Sequence, residues 1–369
     1  MPKKRVKFVN YPKQYLSLKE EIDSAISRCL NSGDFILRSE VSKLEDSFSS
    51  FCGKKYGIGV GNGTDALYLS LKALNIGPED EVITVSNTFI ATISAISMTG
   101  AKPILIDVNS DNNMNPNLIE HLISNKTKAI IPVHLAGRVC DMNAIQAISE
   151  KHKIPIIEDA AQAIGAKFKD KKAGSFGLLS CFSFYPSKIL GSYGDAGMIL
   201  TDSEEIANKL KALRNQGRVS DKIPFLGVNS RLDNIQAAIL NVKFSHLQDY
   251  IQRRREIAST YNKELQNLPI SLPPAPSSNP NYLDVYQDYL IRIPQDREKL
   301  ISFLEENGIE TLPPPIANHL QPCLQNSPQL PMTELLSQQT LRLPTYPELE
   351  DSEVLYITEK IKEFFKISS

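Results

Sequence analysis

Tryptophan is absent from this 369-residue chain, and cysteine, histidine and net charge are all scarce. The five cysteines (Cys29, Cys52, Cys140, Cys181, Cys323) are odd in number, and no two have C-x-x-C spacing. That argues against a disulfide scaffold or a structural zinc site and fits reduced thiols in a cytosol. The five histidines form no H-x-x-x-H pair, so no metal site is expected. With 41 basic and 42 acidic side chains the formal charge is -1, which offers no global field to nucleic acid or an anionic membrane. No apolar run approaches about 20 residues, so no membrane-spanning helix is expected. The N-terminus shows no apolar h-region of a secretory signal. What is present is a 41% hydrophobic content, which excludes intrinsic disorder. A chain of this length is too long for one compact core and predicts two closely packed subdomains.

The basic run Pro2-Lys3-Lys4-Arg5-Val6-Lys7 can be read as a nucleic-acid or nuclear-import patch, or as a solvated, frayed terminus. The near-zero net charge favours the terminus. From Glu81 to Leu200, short β-rich runs alternate with helical patterns. Glu81–Val85, Pro103–Val108, Ala129–Val133, Pro155–Ile157, Cys181–Phe184 and Met198–Leu200 read as buried strands. Asp65–Leu74, Phe89–Met98, Met142–Lys151 and Glu204–Arg214 read as helices. This alternation predicts an α/β fold with a mainly parallel, helix-covered sheet. After Arg231 the pattern changes. Leu232, Ile235, Ile239 and Val242 recur at helical spacing, and LPPAPSSNP (Leu272–Pro280) reads as an extended linker or edge. A strand (Tyr289–Ile293), a helix (Asp296–Asn307), a Pro-rich stretch (Leu312–Pro315) and a last helix (Ser352–Phe365) suggest a smaller α/β domain.

Three segments could carry chemistry. Gly59-Val60-Gly61-Asn62-Gly63-Thr64 precedes a helical pattern and can cradle an anion on free helix N–H groups. It can equally be an ordinary strand–helix turn capped by Asn62 or Thr64. The third Gly of G-x-G-x-x-G is missing, which counts against an NAD-dependent oxidoreductase. In Ile156-Ile157-Glu158-Asp159-Ala160-Ala161-Gln162, an apolar strand ends in two carboxylates at the edge where open α/β sheets bind ligands. Asp159 could pair with a protonated heterocycle, bind a metal, act as a base, or simply cap a helix. Finally, Ser180 to Gly191 (SCFSFYPSKILG) delivers Ser183 and then Lys188 at a strand end. Such a Lys is a surface charge unless it is desolvated, when it becomes a nucleophile toward carbonyls. The combination is more specific than its parts. An anion cradle, a carboxylate, a Ser and a Lys, with Asp159 and Lys188 29 positions apart, match what pyridoxal 5'-phosphate requires.

These segments, together with SNTFIATISAI and GVNSRLDNIQAAIL, resemble the DegT/StrS-type sugar aminotransferases of the aspartate-aminotransferase-like fold. The resemblance runs from about Phe8 to the C-terminal helix. It implies a large pyridoxal-phosphate domain (1–248, including the N-terminal segment) with a mixed, mainly parallel seven-stranded sheet, and a smaller C-terminal α/β domain (249–369). It implies that Lys188 forms the Schiff base, Asp159 pairs with the pyridine nitrogen, and Gln162 reaches the ring hydroxyl side. Phe89 would stack on the ring, and Gly63, Thr64 and Ser183 would hold the phosphate. Asn229 would reach the phosphate of a neighbouring subunit's cofactor, which makes the expected unit a homodimer with shared active sites. Neither Phe89 nor Asn229 stands out by composition, since a Phe defaults to the core and an Asn before a helical run defaults to a cap. The implied reaction passes an amino group from an amino-acid donor, L-glutamate, to a nucleotide-linked keto-sugar in the cytoplasm. Carbon 3 is the expected position and carbon 4 the alternative. Some relatives carry His in place of the lysine and are dehydratases; here Lys188 is present. The chain departs from the V-Y-H-x-Y pattern at Val285-Tyr286-Gln287-Asp288-Tyr289 and from P-I-H-L-Q at Pro315–Gln321. The resemblance puts both segments near the nucleotide-sugar site.

Overall fold

A computed structural model describes residues 5–324 and 328–367. A four-stranded sheet runs in the order Tyr56–Val60, Gly197–Thr201, Leu179–Ser183, Ile157–Asp159, and a three-stranded sheet in the order Lys102–Ile106, Glu81–Val85, Thr127–Ile130. Only Gly197–Thr201 runs against its neighbours. Isolated parallel bridges, Ile130 to Ile156 and Val133 to Asp159, link the facing edges of the two sheets. The strands are apolar on both sides, as helix-covered sheets require. Alternate residues sort into two cores. Ile83, Phe182 and Leu200 lie in one cluster, and Val82, Cys181 and Ile199 in the other. A third cluster collects Val6, Ile257, Tyr261, Tyr289, Ile291, Leu300, Leu341, Leu343, Ile357 and Ile361 around the antiparallel pair Tyr289–Arg292 and Thr340–Leu343.

The expected strands and helices appear with ends shifted by no more than three residues. The helix expected from Asp65 starts at Gly63, because the Asn62 side chain accepts from the Asp65 amide and fixes the first turn. Several elements were not expected: helices Tyr11–Ser17, Lys19–Ser32, Ser39–Cys52, Leu247–Leu265 and Pro331–Gln339, and strand Tyr56–Val60. The frayed terminus needs correction. Pro2–Lys4 lie outside the described residues, but Val6 is fully buried, exchanges backbone hydrogen bonds with Gly308 and Glu310, and is flanked by an Arg5–Glu310 ion pair at 2.9 Å. Among the described residues no helix is long and apolar enough to cross a membrane, and no cluster of potential metal ligands occurs.

Strand polarity decides where the chemistry-bearing segments meet. Tyr56–Val60, Glu81–Val85, Ile157–Asp159 and Leu179–Ser183 all point the same way, so Gly61–Thr64, Ser86–Phe89, Asp159–Gln162 and Ser183–Lys188 leave from a single edge.

Candidate active site

Helix Gly63–Ala73 aims its N-terminus at Ser183. A methyl on Gly63 would lie 2.8 Å from Ser183 Cβ, so the close approach needs glycine. Among the described residues the Gly63 and Thr64 amides have no acceptor, while Asn62 takes care of Asp65 and Ala66. Two open amides, the Thr64 hydroxyl and the Ser183 hydroxyl therefore converge at the positive end of an 11-residue helix. This arrangement suits a phosphate. Asn62, not Thr64, is the cap.

The two carboxylates of the Glu158-Asp159 pair divide cleanly, as alternation along a strand requires. Glu158 is fully buried and saturated. It accepts from His134 Nε2 (3.0 Å), the Gly174, Phe176 and Gly177 amides (2.7 Å each) and Ser180 Oγ (2.9 Å). Burial opposes its charge, but these donors prevail and hold it below the usual glutamate value. Asp159 faces the other way and is not a helix cap. Its Oδ2 accepts from Thr92 Oγ1 at 2.7 Å and its Oδ1 from the Ala161 amide at 3.3 Å. Burial pushes the Asp159 carboxyl above the usual aspartate value, opposed by Thr92, Ala161 and the Lys188 charge. A cationic N–H partner would complete it. Glu158→Gln should therefore lower unfolding free energy by about 3 kcal/mol, because the new NH2 group would face buried donors that the carboxylate satisfied. It should leave kcat per folded site unchanged. Denaturant titration beside steady-state kinetics checks both halves.

Lys188 sits in the turn after Leu179–Ser183, with its amide bonded to Tyr185 O at 2.9 Å and the turn closed by Ser192 N to Phe184 O at 2.8 Å. Its ammonium has no hydrogen-bond partner among the described residues. Burial depresses its pKa, against the pull of Asp288 and then Asp159, while Arg342 adds to the depression. A desolvated amine with a lowered pKa is poised to condense with an aldehyde. Phe89 is 66% exposed rather than a core residue, and lies one helical turn before Thr92, the donor to Asp159. Gln162 Oε1 accepts from the Ala136 amide at 2.9 Å, beside the same edge. Asn229 is exposed. Helix Asn234–Ser245 is preceded by Asp233 at its cap position, so Asn229 does not cap it, and its side chain has no partner among the described residues. Neighbouring Ser230 bonds Asp65 Oδ2 at 2.6 Å and the Gly61 amide at 3.0 Å.

Thr92 and Arg342 escaped the sequence reading, and Gln287 and Asp288 stood out there only as part of a divergent segment, with no role. Thr92 lies one helical turn from Phe89 and could have been found there; the other three come from distant segments. Gln287 does not face open space for a sugar: it is buried against the Lys188 turn. In the second divergent stretch, Asn318 donates to Ser86 O (2.9 Å) and Thr88 O (2.7 Å), and His319 bonds Ser86 Oγ at 2.8 Å.

Residues 16–362 match the DegT/DnrJ/EryC1/StrS aminotransferase family. Over 98% of its length the chain is 42% identical to a Geobacillus stearothermophilus protein called pleiotropic regulatory protein, of which it covers 99%. Over 97% of its length it is 42% identical to the dTDP-3-amino-3,6-dideoxy-alpha-D-galactopyranose transaminase of Aneurinibacillus thermoaerophilus, again covering 99% of the relative. Among solved structures it resembles NtdA from Bacillus subtilis, determined with bound cofactor PMP, with a TM-score of 0.91 and 32% identity over 98% of this chain and 85% of that one. The chain belongs to the DegT/DnrJ/EryC1/StrS aminotransferase family and is a pyridoxal-phosphate-dependent sugar aminotransferase.

Proposed function

We propose that the enzyme moves an amino group from L-glutamate to carbon 3 of a nucleotide-linked keto-sugar, in the cytosol, as a homodimer with shared active sites. The observation that carries the reading is the convergence of Lys188, Asp159 and the Gly63–Thr64–Ser183 cradle at one sheet edge. The transaminase relative named for a 3-amino sugar nucleotide supports carbon 3 over carbon 4. In this reading the linked sheets act as one seven-stranded sheet. The large domain ends near residue 248, where helix Leu247–Leu265 passes from the first core (Leu247, Ile251) to the third (Ile257, Tyr261).

Bound pyridoxal phosphate supplies the electron sink that lets an amine become a ketone and the reverse. The protein does the rest. Gly63, Thr64 and Ser183 anchor the phosphate, Phe89 covers one face of the ring, and Gln162 borders its hydroxyl side. Asp159 keeps the ring nitrogen protonated. Lys188 holds the cofactor between turnovers, then its Nζ takes the proton from the donor Cα and later returns one to the sugar carbon. Incubating the enzyme with glutamate and a panel of 3-keto and 4-keto sugars on dTDP and UDP, and measuring 2-oxoglutarate, tests the substrate. Turnover of the 3-keto compounds is expected. Turnover confined to 4-keto compounds would overturn carbon 3.

The free Asn229 side chain, on a loop with exposed Val219, Ile223 and Leu226, supports a partner subunit there. Inactive Lys188→Ala and Asn229→Asp enzymes should then regain activity when mixed and allowed to exchange. In a mixed dimer one site carries both lesions and the other neither. Asp is chosen because it sets a negative charge beside a phosphate. No recovery despite proven subunit exchange would return Asn229 to a role within its own subunit.

A further inference from the structure

Gln287, where the chain departs from V-Y-H-x-Y, makes an unusual pair of contacts. Its Nε2 donates to Ser187 O at 2.9 Å, and its Oε1 accepts from Ile189 N at 3.0 Å. Those two peptide groups flank Lys188, one on each side. A single bond could merely staple a loop. Two bonds from one rigid, planar amide to both neighbours of the same residue fix the local backbone and so the direction in which the Lys188 side chain departs.

Gln287 is itself firmly held. Arg254 Nη1 donates to Tyr286 O (3.0 Å) and Gln287 O (3.1 Å), and also to Thr345 O. The arch is wedged on Gly137, whose φ of +94° and missing side chain allow the approach. A Cβ there would lie 2.7 Å from both the Tyr286 and Gln287 amides. Val285 N bonds Gly137 O at 3.0 Å, so the same arch is tied to the turn that bonds Gln162. The next residue, Asp288, supplies the largest charge acting on Lys188.

We propose that Gln287 is a positioning residue for amino transfer: its amide aims Lys188 by holding the peptides on either side of it. A lysine has four rotatable bonds and must serve two proton-transfer sites in turn, so a fixed root narrows its search. The inference rests on Lys188 being the cofactor lysine.

The test uses the cofactor-loaded variants Gln287→Met and Gln287→Glu beside Lys188→Ala. Gln287→Met removes both bonds, and kcat per loaded site should fall on the order of 10- to 100-fold, with KM for glutamate little changed. In cofactor-free protein, trace reductive methylation of Lys188 should shift to higher pH as the amine loses its buried setting. Gln287→Glu supplies a second, independent reading if the Met variant folds poorly. An ionised carboxylate accepts from Ile189 but cannot donate to Ser187; a protonated one does both. Its activity relative to wild type should therefore rise as pH falls. A purely structural staple would cost stability without moving any of these. If kcat per loaded site stays within about threefold of wild type in both variants and the Lys188 methylation profile is unchanged, the role of Gln287 is refuted. An active Lys188→Ala would instead overturn the reading of Lys188 itself, so the two failures are distinct.

Discussion

Lys188→Ala should lose turnover by on the order of 10⁴-fold or more, because in the proposed reaction it removes the group that carries the cofactor and moves the proton. The fold should survive. The bonds that close the turn are backbone bonds, Lys188 N to Tyr185 O and Ser192 N to Phe184 O, and alanine keeps both. Buried Ile189 and Leu190 hold the next two positions whatever stands at 188. The amine is also poorly accommodated, since burial already disfavours its charge. Pyridoxamine phosphate should still bind through Gly63, Thr64 and Ser183. Arginine should not rescue, because a guanidinium stays protonated and cannot condense with an aldehyde. Absorbance of the loaded protein and single-turnover kinetics read both effects. Turnover within about tenfold of wild type would remove Lys188 from the mechanism.

Asp159→Asn should lower kcat by on the order of 10²-fold or more, as removal of a charge that supports the transition state does elsewhere. Its effect on the cofactor-free protein should have the opposite sign. Burial raises the folded-state pKa of Asp159 above 3.8. Between that value and the folded pKa the native state holds more protons than the unfolded chain. This contribution to stability is therefore present at low pH and lost as pH rises through the folded pKa. Above it, the buried carboxylate is supported by the Thr92 hydroxyl, the Ala161 amide and the charges of Lys188 and His134, which do not offset its burial. An asparagine side chain keeps the shape without the charge, so at neutral pH the cofactor-free variant should melt no lower than wild type. Thermal melts of both proteins across pH, with kcat measured alongside, check the pair of effects. An Asp159→Asn enzyme as active as wild type, beside a dead Glu158→Gln, would mean that the wrong carboxylate carries the chemistry.

The chemistry was readable where a short contiguous segment both ends a strand and supplies the group. Ser183 and Lys188 follow one strand, Asp159 ends another, and Gly63-Thr64 begin a helix, so local pattern singled out these segments, while the role expected of each residue came from the family resemblance. Phe89 was not readable, because a lone Phe near a helix start looks like core and its exposure is a property of the assembled edge. Gln287 was out of reach for a stronger reason. Its partners lie about a hundred positions away, and no local pattern marks an amide that brackets a lysine. The missed helices have physical excuses too. Lys19–Ser32 buries only Ile22, Ala25 and Cys29, a stripe too small to stand out. Leu247–Leu265 buries Arg254 in the middle of its apolar face, because that guanidinium donates to three carbonyls of the Tyr286–Gln287 and Thr345 segments. A charge inside a buried stripe breaks the amphipathic pattern that sequence reasoning relies on.

As the lysine proposed to hold the cofactor, Lys188 has one natural competitor. Lys243 is buried, its pKa pushed down to about 8, and it lies beside the Lys188 turn, donating to Gly191 O at 2.7 Å. It differs in being committed, since Gln14 accepts from it at 2.8 Å and the Tyr193 ring lies 3.9 Å away. Reducing the loaded enzyme with borohydride and mapping the modified peptide by mass spectrometry separates the two. One phosphopyridoxyl group per chain is expected, on the peptide that contains Lys188. A label on Lys243, or on any lysine other than Lys188, would contradict it.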